Sequence, residues 1–316
     1  MIIKLFSLGV VLLFICLSTF VVGDCPPAEL IHPCTCRFPQ DPSIVCSGIT
    51  RMEIITELFE RTGELRFKHF TLSNSTLQYL PAHALISKRV FGLTFENTTL
   101  TGLFDETPSS NNLVHMFVLD NVRIQRAIQW PMFQKLTKLR IMQLIGVTIK
   151  RLGKDFINNI NQGLAEIYLS QTRTTSLSDG LFENMKDLRQ VGIVKSQIKT
   201  LKRNMFPRPA KLSSMSFMKN QIETLPDDLF VDMPELIIVN LRGNKIVYLK
   251  EAVFAGIYSK LVRLDVDENP INCDCSLLWL TRQDSSYSVN GICEEPTIKK
   301  GTQIRNLTKK DLSYCI

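Results

Sequence analysis

The sequence predicts an α/β solenoid of about nine repeats, each 23–25 residues long, whose short strands stack into one parallel sheet. Two observations carry this. A leucine-rich template recurs through the middle of the chain, and the cysteines beyond residue 23 fall into two clusters that flank it.

The template L-x-x-L-x-L-x-x-N-x-L-x-x-L can be laid on the chain nine times, starting at Phe67, Val90, Val114, Leu139, Leu164, Leu188, Leu212, Leu236 and Leu261. Self-similarity at such a period is the signature of a repeat array. The best copies run from Leu212 to Leu225 and from Leu236 to Leu249. Residues 3 to 5 of each copy are expected to form a strand, and successive strands to stack at ~4.8 Å. The template leucines then point inward. Phenylalanines return near the end of most copies (Phe133, Phe156, Phe182, Phe206, Phe230 and Phe254) and fill the wider, convex side. No copy buries its apolar face alone, so neighbours supply the stability and the two ends need covers.

The ninth template position is where an asparagine side chain links one turn to the next. Only Asn220, Asn244 and Asn269 comply; Ser75, Thr98, Thr172 and Ser196 can do part of that work, and Val122 and Val147 cannot. The expectation is a regular C-terminal half and a less regular stretch around rungs three and four. Rung two lacks the convex aromatic, and its run from Thr107 to Asn112 contains Pro108, which reads as a loose loop.

Ahead of the repeats, Met1-Ile2-Ile3-Lys4 precedes an apolar run from Leu5 to Val22, with Val21 and Gly23 at the −3 and −1 positions of a cleavage site. That is the form of a secretory signal over 1–23, rather than an uncleaved membrane anchor. No second apolar segment of that length occurs, and the ending Tyr314-Cys315-Ile316 resembles no lipid-anchor signal. A secreted product without a membrane span is expected. Eight of the nine cysteines remain after residue 23. Four lie in an N-terminal cap over 24–66 and four in a C-terminal cap over 272–316, around repeats that span 67–271. Even numbers in each cluster of a secreted chain argue for two disulfides per cap, in preference to zinc. A bond within either C-x-C is geometrically poor, which leaves two pairings open for each cap.

The segment from Asn269 to Leu280, with Cys273, Cys275 and Trp279 and then Cys293 and Cys315, is similar to the C-terminal flanking cap of the extracellular leucine-rich-repeat superfamily. The N-terminal run Cys25-Pro26-Pro27-Ala28-Glu29, leading to Cys34-Thr35-Cys36 and Cys46, resembles that superfamily's N-terminal cap. More narrowly, it resembles arthropod secreted proteins related to the non-catalytic leucine-rich subunit of decapod shrimp luciferase. The resemblance covers essentially the whole chain after the signal. It implies the disulfides Cys25–Cys36, Cys34–Cys46, Cys273–Cys293 and Cys275–Cys315. It also implies that Trp279 sits on a cap helix over the leucines of the last rung.

Motifs for chemistry are missing. The chain has no G-x-S-x-G, H-E-x-x-H, P-loop or G-x-G-x-x-G pattern, so no catalytic residue, cofactor or metal is expected. His69 and His115 both face the concave side, but two rungs of roughly 4.8 Å separate them, too far for shared metal ligation. The net charge of +7 becomes +6 without Lys4 and is too diffuse for a nucleic-acid reader.

A binding surface has a definite expected location. Template positions 2, 3, 5, 7 and 8 project from the concave sheet, because strand side chains alternate. Rungs three to five place Met116, Val118, Ile141, Ile145 and Tyr168 there, an apolar patch suited to an extracellular protein ligand or to a homodimer mate. Beside it run Lys195, Lys219 and Arg242, followed by Asp265, Asp267 and Glu268, a charge gradient able to steer a partner. Sequons at Asn74, Asn97 and Asn306 mark glycosylation sites, the first two at position 8 of adjacent rungs. Lys299, Lys300, Arg305, Lys309 and Lys310 in the C-terminal cap offer a sulfated-glycan site. The functional expectation is a non-catalytic binding or scaffold protein, with an accessory enzyme subunit and a glycan-binding matrix protein as alternatives.

Overall fold

The computed structural model describes residues 25–282 and 288–315; the expected signal over 1–23 lies outside them. Among the described residues no helix is long and apolar enough to cross a membrane. Among the described residues the principal sheet has twelve strands. Thr35–Arg37 pairs antiparallel with Ser43–Ser47, and every later pairing in this sheet is parallel. Nine of these strands come from the nine template copies, so Ser43–Ser47 in one cap and Ser288–Asn290 in the other extend the sheet beyond the repeats.

Stacking works because the template positions agree from rung to rung. Phe70, Leu93, Phe117, Met142, Ile167, Val191, Met215, Val239 and Leu264 all occupy position 4, and each is buried. On the convex side the phenylalanines touch across rungs. Phe156 meets Phe182 at 6.4 Å and Phe182 meets Phe206 at 5.9 Å, while within rung three Phe133 meets Phe117 of the strand at 5.0 Å. Trp130 joins this column 5.0 Å from Phe156.

The strands differ in length in a way the template does not anticipate. The strands of rungs one to six run through positions 3 to 7, whereas those of rungs seven to nine (Ser214–Ser216, Ile238–Asn240 and Arg263–Asp265) stop at position 5. The ninth residue supplies the physical reason. Asn244 donates from Nδ2 to the carbonyls of Leu241 (2.8 Å) and of Phe217 one rung before (2.9 Å), both at position 6. Its Oδ1 accepts from the N–H of Ile222 at 3.1 Å. Asn220 and Asn269 repeat this arrangement, taking the position-6 carbonyls of Ile193, Phe217, Leu241 and Val266 as acceptors. A shorter hydroxyl reaches back two residues instead of three within its own rung, Ser75 to the Ser73 carbonyl and Thr98 to that of Glu96, while Thr98 also bonds the Leu72 carbonyl one rung before; in these rungs the strand continues to position 7.

Rungs three and four are therefore regular, contrary to the expectation. Val122 and Val147 cannot hydrogen-bond, but they are buried, and Met116–Asp120 pairs with Ile141–Ile145 over all five residues. The loop of rung two is also held. Asn112, 0% exposed, donates to the carbonyls of Ser109 (2.6 Å) and Lys135 (2.9 Å) and accepts from the N–H of Val114. Position 8 is a turn rather than part of the strand, with a left-handed backbone in every rung from Asn74 (φ 46°) to Glu268 (φ 55°). Asparagine and glycine tolerate that conformation at least cost, and five of the nine occupants are one or the other: Asn74, Asn97, Asn121, Gly146 and Gly243.

Four disulfides close the caps: Cys25–Cys36, Cys34–Cys46, Cys273–Cys293 and Cys275–Cys315. They are the pairs that the cap resemblance implies. Trp279 lies in a 3-10 segment, Cys275–Arg282, instead of an α-helix. Its ring stacks 5.4 Å from Phe254, and its indole N–H donates to the Leu249 carbonyl at 2.9 Å. Thiol titration of the denatured, unreduced protein from culture medium should find no free thiol, and one or more reactive thiols per chain would contradict the complete pairing. Loss of one such bond from a small cap costs ~2–5 kcal/mol.

Candidate functional site

The five-residue strands of rungs one to six give the concave face its widest ordered surface, and the apolar patch lies in their middle. Met116 sits opposite Ile141, which sits opposite Glu166. Two residues along, Val118 faces Gln143 and Gln143 faces Tyr168; two further, Asp120 faces Ile145 and Ile145 faces Ser170. Met116, Val118, Ile141 and Ile145 are half-buried rather than exposed, and Tyr168 is the exposed member, at 37%.

Two glycines explain how the side chains lie. A Cβ on Gly192 would stand 2.6 Å from Cδ2 of Tyr168, so the tyrosine ring covers the bare backbone of rung six and leans away from rung four. A Cβ on Gly92 would stand 2.2 Å from Nδ1 of His69 and 3.2 Å from Cε of Met116. Those two side chains share the glycine's space from opposite sides. The patch is thus a set of flattened side chains around Gln143, with Met116 and Ile141 adjacent and Ile145 at the turn margin. Side-chain direction across rungs depends on whether the neighbour has a side chain at all, and a one-rung template does not report that.

Phe91 belongs to this surface and the sequence argument passed over it. It occupies position 2 of rung two, is 37% exposed, and stacks on His115 at 4.4 Å with an interplanar angle of 11°. Its ring also meets His69 edge-on at 6.2 Å. Phe91 therefore stands between the two histidines. His69 Nε2 lies 3.7 Å from Asp41 Oδ2, and desolvation lowers its pKa against the opposing pull of Asp41. His115 Nδ1 lies 2.7 Å from the Leu113 carbonyl. Among the described residues no cluster of three metal-ligating side chains occurs. The signal for Phe91 was an aromatic residue at an outward position.

The expected charge gradient is largely cancelled within the protein. Arg242 bonds Glu268 at 2.6 Å and approaches Asp267 at 3.6 Å, and that hydrogen bond raises the guanidinium pKa and lowers that of the carboxyl. Asp265 is buried and pairs with Arg263 at 3.0 Å. Arg140 and Arg189, at position 2 of rungs four and six, pair with Asp187 and Glu235. Lys195 and Lys219 are exposed on position-8 turns with no carboxylate in ion-pairing range among the described residues.

The basic cap is corrected more strongly. Lys299, 8% exposed, donates to the Cys273 carbonyl (3.1 Å) and to the Tyr314 hydroxyl (2.8 Å). Lys300 pairs with Glu294 at 3.0 Å, and Arg305 bonds Gln303 at 2.8 Å. Lys309 and Lys310 are left exposed without an ion pair among the described residues. The sequon residues Asn74, Asn97 and Asn306 are all exposed.

No family model matches this chain, and no curated protein sequence does. The narrower arthropod resemblance therefore has no sequence relative behind it. Solved structures do match. A chain of the octameric complex of Latrophilin 3, Unc5D and FLRT2 (LRR) aligns with a TM-score of 0.53 at 18% identity, over 81% of this chain and 95% of that one. The TLR13–ssRNA13 complex aligns with a TM-score of 0.64 at 21% identity, over 76% of this chain and 34% of that one. The chain thus spans about a third of the latter's length. At these identities the likeness establishes the leucine-rich-repeat fold.

Proposed function

We propose that this chain is an extracellular, non-catalytic binding or scaffold protein that holds a protein partner on rungs three to eight of its concave face. The observation that carries this is the half-buried apolar group Met116, Val118, Ile141 and Ile145, with exposed Tyr168 beside it, on the widest part of the sheet. Such side chains gain when a partner removes their remaining surface from water, at roughly 25 cal/mol per Å². Phe91 and His115 extend the same surface into rung two. The FLRT2 (LRR) neighbour was solved in a complex with other proteins, which supports the same use of this fold. Single-stranded RNA, present with the TLR13 neighbour, suits this concave face less well, because Arg140, Arg189 and Arg242 are already paired with carboxylates.

The test uses the secreted protein as bait in its native fluid, with captured proteins quantified by mass spectrometry. Ile141→Ala with Tyr168→Ala should lower recovery of the cognate protein at least tenfold, as truncation of interface anchors commonly costs ~2 kcal/mol or more. Lys309→Ala with Lys310→Ala should leave it unchanged. The opposite pattern, with salt-sensitive retention of the wild type on heparin, would replace this reading with sulfated-glycan binding. An enzymatic activity that travels with the captured partner would make the chain an accessory subunit.

A further inference from the structure

At the N-terminal end of the concave face lies an open hollow of about 540 Å³, within the roughly 300–1,000 Å³ range of ligand sites. Thr35, Ser43, Ser47, Thr71 and Thr94 contribute hydroxyls to its lining, and Phe38 stands at its edge. Phe38 is unusual twice over. Its ring is 69% exposed, and its backbone adopts φ 58°, a left-handed conformation that bulky residues rarely hold. An exposed aromatic held in a costly backbone conformation is what a ligand-facing ring looks like.

Asn74 is on the rim of the same hollow. Its side chain turns inward, with Nδ2 donating to the Ser47 hydroxyl at 3.2 Å. Asn74 begins the sequon Asn74-Ser75-Thr76, and Asn97, in the register-matched place one rung on, begins Asn97-Thr98-Thr99. The two turns are tied directly, since the Asn74 N–H donates to the Glu96 carbonyl at 2.9 Å.

We propose that Asn74 and Asn97 carry N-linked glycans and that the first sugars of the Asn74 glycan rest in this hollow against Phe38. The transfer forms a bond from the Asn74 carboxamide nitrogen to the anomeric carbon of an oligosaccharide carried on a lipid pyrophosphate. The pyrophosphate oxygen leaves with the bonding electrons, and the nitrogen's proton passes to the base of the transferring enzyme. The remaining N–H of Asn74 still reaches Ser47. A sugar ring has an apolar C–H face and a rim of hydroxyls, so Phe38 suits the one and the threonine and serine hydroxyls suit the other. Asn97 is not among the residues that line this hollow and serves as the internal comparison.

The full chain is expressed in an insect secretory host and recovered from cells and medium. Release of N-glycans by glycosidase in heavy-oxygen water should leave labelled aspartate at positions 74 and 97; unlabelled asparagine at both overturns the proposal. The seat is tested by thermal melting. Phe38→Ala should lower the midpoint of the glycosylated protein by about 2 °C. It should have no effect in an Asn74→Gln background and keep its full effect in an Asn97→Gln background. Equal shifts in all three backgrounds would mean that Phe38 acts without the sugar. No protein partner enters these measurements, so their outcome is independent of the concave-face reading.

Discussion

Trp279→Ala is expected to lower the unfolding free energy by about 3–5 kcal/mol, the usual range for a buried tryptophan truncation. The indole does three things at once. It stacks on Phe254, the last of the convex phenylalanines, at 5.4 Å; it meets Tyr258 at 5.9 Å; and it satisfies the Leu249 carbonyl. Its removal opens a cavity between cap and rung, and it leaves that carbonyl without its donor. Because contacts in a solenoid run between neighbours, the damage should stay near the end that loses its cover. Hydrogen exchange should therefore speed up first in rungs eight and nine, while amides of rungs one to four keep their protection. Uniform loss of protection along the chain would show that the cap is not a local cover.

Leu241→Ala should cost about 2–5 kcal/mol, whereas Arg242→Ala should leave stability almost unchanged. The two residues are adjacent, just past the strand Ile238–Asn240, and they point to opposite sides, Leu241 into the core and Arg242 outward. Leu241 is 1% exposed and sits at position 6, where its carbonyl takes hydrogen bonds from Asn244 and Asn269. Arg242 lies on the surface in ion pairs with Glu268 and Asp267, and exposed pairs contribute little. Urea unfolding of both variants measures the contrast. Equal losses would mean that the inward and outward positions have been assigned to the wrong residues.

Leu241 and Arg242 also show how much was legible in the sequence. Inward or outward is decided within one repeat, by alternation and by the template, and it holds at every rung. The cap cysteines were legible because they stand at the two ends of the repeats and nowhere between. What escaped is the contact between rungs. Met116 leans toward Gly92 and Tyr168 toward Gly192, and both directions follow from residues some two dozen positions away. Strand length escaped for a related reason, since the strand stops at position 5 where the ninth residue is asparagine and runs to position 7 where it is serine, threonine or valine. Lys299 looked like surface charge because lysine usually is, and only the fold brings it to the Cys273 carbonyl and Tyr314.

The two outermost strands of the principal sheet, Thr35–Arg37 and Ser288–Asn290, are each three residues long. Their shortness bears on how the protein behaves at high concentration. A parallel sheet with open ends offers unpaired backbone groups to a second molecule, and a stack that grows by adding rungs can in principle grow by adding chains. Here one terminal strand is reversed into a hairpin whose Cys36 is bonded to Cys25, so an incoming strand meets a short antiparallel edge flanked by Arg37. The other terminal strand is followed within three residues by Cys293, which is bonded back to Cys273. The covalent clamps that complete the core at each end also terminate the lattice of hydrogen bonds, which keeps end-to-end fibre growth from being a continuation of folding.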